Sequence, residues 1–235
     1  EALAGELRIG PGAQLDLNLF QADTLATGEA VHCKTLVLAG DGPDHEGALV
    51  NYGAGDSNKN VHMISHLVLA GDAAIGSVTT PGARIDVRRL DGSACNEIVV
   101  EGPYTLTANP GNILAFTDTR FALDRVIDKG HFVLAAGISG VITNGIHVKN
   151  GAILNCGGVT VPAEIPVIYD EGRANFRCHS PSTIRAPLTV ESGVTVDFSN
   201  DVHTVEWTGV VTNNGTIVRG SVSGVVTFAD GSDTD

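Results

Sequence analysis

The sequence predicts an all-β chain folded as a parallel β-helix, a solenoid of about eight to ten coils. Three observations carry that prediction. The phrase Leu-Val-Leu-Ala-Gly-Asp occurs at positions 36–41 and again at 67–72, and the two copies align without a gap. Glycine supplies 29 of the 235 residues and aromatics only 5 %, a balance that suits frequent corners around an aliphatic interior. Short alternating apolar segments bounded by Gly, Asn or Asp recur along the whole chain, which is a strand-and-turn pattern.

Taken in order, the segments begin with Leu7-Arg8-Ile9 and Leu15-Asp16-Leu17, then the repeated pair at 36–38 and 67–69. Ile85-Asp86-Val87, 98–100, 104–107 and 132–134 follow, and Ile146-His147-Val148 stands between Asn144-Gly145 and Asn150-Gly151. The series ends with 188–190, 194–198, 210–212, Ile217-Val218 and 225–228. Asn-Gly between apolar runs is ordinarily a hairpin signal, but the segment between those two Asn-Gly pairs is too short for a meander of normal strands. Short sides separated by corners suit a coil. Residues one repeat apart then sit one rung above another, so Leu36 stacks on Leu67 and Leu38 on Leu69, all facing inward. One segment departs from the pattern: at 120–129, Phe121, Leu123, Val126 and Ile127 have the spacing of a short helical turn or cap. No linker or charge block divides the chain, so 1–235 reads as one solenoid domain, with the acidic 229–235 a frayed tail.

The formal net charge is −13. Such a surface repels phosphate backbones and anionic headgroups, which disfavours nucleic-acid and membrane-surface roles. No apolar run reaches the ~18–20 residues that span a bilayer. The chain begins at Glu1 and its one methionine is Met63, so it reads as a processed protein or an excised piece of a longer solenoid. Cys33, Cys95, Cys156 and Cys178 contain no Cys-x-x-Cys pair, which argues against zinc knuckles and dithiol redox chemistry. Two readings stay open for them: a disulfide between Cys156 and Cys178, about one coil apart, or small buried hydrophobes in the interior.

The segments Gly47-Ala48-Leu49-Val50-Asn51 and Leu67-Val68-Leu69-Ala70-Gly71-Asp72-Ala73-Ala74-Ile75-Gly76 resemble the rungs of autotransporter-type passenger domains, best over residues 31–90. The resemblance implies a right-handed β-helix exported to the cell surface or beyond. It carries no catalytic motif, and the chain lacks the membrane β-barrel that anchors such passengers, again as a fragment or a released protein would.

Several groups of residues are candidates for chemistry. Asp41, Asp44 and Glu46 place three carboxylates in one loop after a strand, as calcium favours; a solvated acidic turn is the plainer reading. His62 and His66, with His32 and Cys33 one coil earlier, are conceivable zinc ligands, but the alignment of the two phrases sets no second ligand beneath either. Asp118, Arg120, Asp124, Arg125 and His131, with Asp128, form the densest ionisable cluster. Asp118 and Arg120 are expected to share one strand face and line a groove. Polysaccharide-cleaving chemistry uses such carboxylates, alone or with an arginine, while surface ion pairs are the plainer alternative. Tyr52, Tyr104, Tyr169 and Trp207 are the aromatic candidates, with Tyr52 and Trp207 chosen for carbohydrate contact; Trp207 reads equally as a plug at the end of the core.

The reading that follows is a non-enzymatic, extracellular or cell-surface solenoid that serves adhesion, carbohydrate contact or spacing, without a cofactor unless calcium. Its expected partners are glycans or surface ligands and, through open strand edges, other solenoid ends. A polysaccharide hydrolase or lyase and a viral tailspike segment are the alternatives.

Overall fold

The computed structural model describes residues 6–17, 32–33, 35–53, 63–64, 66–87, 98–198, 203–219 and 225–228. Every strand pairing among them is parallel, and the strands stack as successive turns of a solenoid. The long sheet follows a nine-strand path from Glu6–Ile9 through Thr35–Gly40, His66–Ile75, Ile98–Ala108, Thr119–Asp128, Ile146–Val148, Val167–Tyr169 and Leu188–Val190 to Val211–Asn213. A second sheet of seven strands runs beside it from Ile85–Val87 to Thr216–Val218. A third, of four strands, begins at Thr160–Val161 and ends at Val226–Phe228. No α-helix occurs among the described residues; one 3-10 turn spans Pro43–His45.

The solenoid has about seven turns, slightly fewer than the eight to ten expected. Unequal coil length accounts for the difference. Leu7 pairs with Leu36, Leu36 with Leu67 and Leu67 with Val100. Later, Ile146 pairs with Val167 and Val167 with Leu188, at much closer intervals in the sequence. The long early turns consume chain that short turns would have spread over more rungs.

The repeated phrase does stack on itself. Leu36 lies beside Leu67 and Leu38 beside Leu69, and all four side chains are buried. Each buried leucine contributes roughly 1.5–3 kcal/mol relative to exposure, and the ladder aligns such residues along the axis. On the second sheet the inward columns are Leu114, Phe132, Leu154 and Phe176, and beside them Phe116, Leu134, Cys156 and Cys178. The aromatics gather into two plugs. Phe116 meets Phe121 and Phe132 at centroid distances of 5.1 and 5.2 Å. Further along, Phe176 packs against Phe198 at 5.0 Å and against Trp207 at 5.7 Å.

The segment at 120–129 is not helical. It belongs to the strand Thr119–Asp128. Between Leu123 and Arg125 its register shifts against the neighbouring strand Ile98–Ala108, which carries one residue more across the irregularity. Phe121 and Leu123 are buried before the shift and Val126 after it, with Asp124 and Arg125 both left out of the inward set. A two-residue alternation broken in this way imitates helical spacing. Asn144-Gly145 and Asn150-Gly151 are corners, as expected: Gly145 has φ 77° and Gly151 φ 80°, flanking the short side Ile146–Val148.

The early corners are pinned by buried asparagines. Asn112 accepts from the Ser77 N–H at 2.9 Å and donates to the carbonyls of Asn51 at 2.9 Å and Ala83 at 2.5 Å. Asn109 donates to the Gly76 carbonyl at 2.8 Å, and Asn51 to the Arg84 carbonyl at 3.1 Å. These side chains satisfy backbone groups that leave the strand ladder where the chain turns. Glycine is required alongside them: a Cβ on Gly47, at φ 102°, would collide with the Gly76 carbonyl oxygen of the next turn.

Candidate functional site

Side chains at alternate positions of the long sheet point out of the solenoid. One outward column runs Val68, Glu101, Ala122, Val141, each in register with the next. These four residues line a groove of about 640 Å³ that crosses four rungs along the solenoid axis. Pro103, Asp124 and Thr143 line it as well. The wall turns at Gly102, whose φ is 136° and where a Cβ would collide with the Leu69 carbonyl oxygen. Only glycine fits that approach.

Both carboxylates in the groove are held by a neighbour. Glu101 Oε1 lies 2.7 Å from His66 Nε2, with both side chains more than a third exposed. Asp124 Oδ1 accepts from Asn144 Nδ2 at 2.7 Å. Tyr104, 37 % exposed, follows Pro103 on the same strand. The groove therefore offers an apolar floor of Val68, Ala122 and Val141, two oriented acceptors, and a tyrosine beside it. Faces of sugar rings and their hydroxyls meet that combination well.

The structure divides the predicted ionisable cluster. Asp118 does not share a strand face with Arg120: it sits in a left-handed turn at φ 52° just before the strand, its N–H donating to the Ala136 carbonyl at 2.8 Å. Arg120 lies in an outward column with Val99 and Ser139. Asp124 lines the groove. Arg125 follows the register shift, and its buried Nε has no hydrogen-bond acceptor among the described residues. His131 belongs to the second sheet, between Ile113 and Ile153. Asp128 is fully buried and accepts from the Gly130 N–H at 3.0 Å; loss of solvation pushes its carboxyl up to about 8.

The aromatic candidates also separate. Trp207 has no exposed surface; its indole N–H donates to the Ala186 carbonyl at 2.8 Å, so it is a core plug with no face for a sugar. Tyr169 is likewise buried. Tyr52 is half-buried at a corner, its backbone N–H donating to Asp16 Oδ1 at 3.1 Å, and it is not part of the groove wall.

In the acidic loop the three carboxylates have different surroundings. Asp41 pairs with the His45 imidazole, which lowers the Asp41 carboxyl and raises His45. Asp44 is exposed at φ 50°. Glu46 is committed to the next coil: it accepts from the Ser77 hydroxyl, the Thr79 hydroxyl at 2.6 Å and the Val78 N–H at 2.9 Å. The Ser77 and Thr79 hydroxyls, then the backbone N–H groups of Thr79 and Val78, hold Glu46 at about 2. No group of three or more His, Cys, Asp or Glu side chains converges as a metal site among the described residues. His62 and Cys95 lie outside the described residues, as do the side chains of His32 and Cys33. Cys156 and Cys178 are register partners and buried thiols rather than a disulfide, and burial pushes the Cys156 thiol far up.

Sequence reasoning missed Glu101 and His66 as a site pair. The outward column that makes the groove steps from position 68 to 101, 122 and 141. No two of those steps are equal, and no constant period exposes it. The one local signal was an outward glutamate ahead of Gly102-Pro103.

No family model, no curated protein and no solved structure matches this chain.

Proposed function

We propose that the chain is a cell-surface or secreted contact module that holds an extended, neutral or basic glycan along its long sheet without cleaving it. The groove over Val68, Glu101, Ala122 and Val141 carries this reading, because it runs along the axis and meets a linear ligand once per rung. The net charge of −13 favours neutral or basic ligands over nucleic acid. The autotransporter-like phrases at 47–51 and 67–76 support export to a surface, where a rigid stack of coils also serves as a spacer.

Affinity electrophoresis of the chain through gels carrying neutral or amino-sugar polysaccharides tests this reading. Retardation is expected with at least one of them. Glu101→Gln and Tyr104→Ala should each weaken it by about three- to tenfold, the size of one lost polar or stacking contact. Unretarded migration through all of them would remove the proposal. Release of reducing ends that Glu101→Gln or Asp124→Asn abolishes would replace it with a hydrolase.

A further inference from the structure

A second polar cluster lies on the outer face of the second sheet, and it shares no residue with the groove. Register sets Asn155 directly beside Arg177 on the next rung, with His131 diagonally adjacent on the rung before. His179 sits where the register slips after Cys178, and a Cβ on Gly157 would come within 2.6 Å of its Nε2. The absence of a side chain at 157 is what lets that imidazole lie over the strand.

Two polar atoms here have no partner among the described residues. Asn155 is 6 % exposed; its Nδ2 donates to His131 Nε2 at 3.3 Å, while its Oδ1 accepts no hydrogen bond. Arg177 Nε is buried and donates none. Open polar atoms at such depth are costly unless something fills them. Burial first, then Arg177, Arg84 and His179, push His131 down to about 4, so it is neutral at pH 7. Arg84 is matched by Asp86 at 2.8 Å, whereas no carboxylate forms an ion pair with Arg177 among the described residues.

We propose that Asn155, Arg177, His131 and His179 form a subsite for a sugar acid, a ring carrying a carboxylate next to a hydroxyl. Neither Arg177 Nε nor Asn155 Oδ1 has accessible surface in the free chain, so the ligand enters as the Arg177 and His179 side chains swing outward, and its carboxylate then accepts from Arg177 Nε and completes its charge. The hydroxyl donates to Asn155 Oδ1, and the two histidines border the ring. An inorganic oxyanion fits less well: it answers Arg177 but sets a second oxygen against Asn155 Oδ1. A neutral sugar answers Asn155 and leaves Arg177 unmatched. The proposal is independent of the groove, which lies on the other sheet.

Titration of the whole chain with sodium glucuronate, glucose and sodium sulfate, followed by ¹H–¹⁵N NMR, tests this. Glucuronate should give saturable shifts at the Arg177 Nε–H and the His131 and His179 rings, with the groove amides of Val68 and Ala122 unmoved. Its affinity should exceed that of glucose and of sulfate by about tenfold, the worth of one charge-assisted contact. Arg177→Gln should remove the saturable shifts. Gly157→Ala, which leaves the core untouched, should weaken them by displacing His179. Three results would overturn the proposal: no saturation with glucuronate, sulfate binding as tightly as glucuronate, or undiminished binding by Arg177→Gln. Shifts confined to the groove amides would overturn it as well while leaving the glycan reading of the groove intact.

Discussion

The early and late turns of this solenoid solve the same problem with different chemistry. Early turns, such as that from Leu67 to Val100, are long and are joined at their corners by side-chain hydrogen bonds. Asn51, Asn109, Asn112 and Glu46 make the chief ones. Late turns, such as that from Val167 to Leu188, are about a third shorter, add a third sheet, and are filled by Phe176, Phe198 and Trp207. A long coil has corners that stray from the strand ladder, so polar side chains must recover their backbone groups. A short coil keeps such bonds at its corners too, as where Asn150 Oδ1 accepts from the Arg173 N–H at 3.0 Å and Asn213 Oδ1 from the Gly215 N–H at 3.2 Å, but its interior is filled by aromatic contact. The groove falls where one regime gives way to the other: its column takes a long step from Val68 to Glu101 and short ones to Ala122 and Val141. The register shift there, between Gly102-Pro103 on one rung and Asp124 on the next, is what breaks the flat face and leaves a concavity.

The contrast is open to direct tests. Trp207→Ala should have the largest effect, a loss of about 3–5 kcal/mol from an emptied aromatic site. Hydrogen exchange should then rise across 176–228 and leave the strands at 36–38 and 67–69 protected. Loss of protection in both halves would show that the stack unfolds as one unit and that the division is only geometric.

Asp128 lies one rung past the seam, in a strand whose turns on both sides are short. Its folded value of about 8 stands above the ordinary 3.8 because burial penalises the carboxylate. Between those values the folded chain binds the proton more tightly than the unfolded chain does. Stability therefore falls as pH rises from about 4 to about 8, and the cost is fully present above that window. Asp128→Asn should flatten this slope and gain on the order of 3 kcal/mol at pH 8, measured by urea denaturation across pH. An unchanged pH profile in the variant would assign the slope to other groups.

The smallest effect is expected from Asn112→Ala, about 1–3 kcal/mol for the backbone groups it leaves buried and unmatched. Faster exchange should appear at the Ser77 N–H and its neighbours in the early turns, with 146–198 unaffected. Equal loosening of the late turns would mean that corner bonds support the whole solenoid.

The parallel stack itself is legible in the sequence, because Leu36 and Leu38 recur one coil later with nothing inserted between. Corners are legible too, since Asn144-Gly145 and Asn150-Gly151 crowd a single short side. The strand at 119–128 is not, because Asp124 and Arg125 together break the alternation that marks a strand. The coil count reads high because the repeated phrase alone does not show that every turn before Val100 has about the length of that repeat, with short turns only after. Asp124 is marked by its charge, but its neighbours in the groove are not: Val68, Ala122 and Val141 are ordinary apolar residues until four unequal turns align them. Trp207 is ambiguous for a related reason, since alternation with Val205 places it on a face without saying which side of that face is covered.

Each rung of the ladder bonds only to the rung before and the rung after, so the amount of chain spent between rungs does not enter the pairing. The long turn from Leu67 to Val100 and the short one from Val126 to Ile146 coexist in one stack for that reason. Added length costs only the slow logarithmic growth of loop entropy, about 0.6 kcal/mol per doubling. Such a chain can therefore acquire or shed surface at its corners without renegotiating its interior, and the whole turn, rather than the residue, is its unit of change.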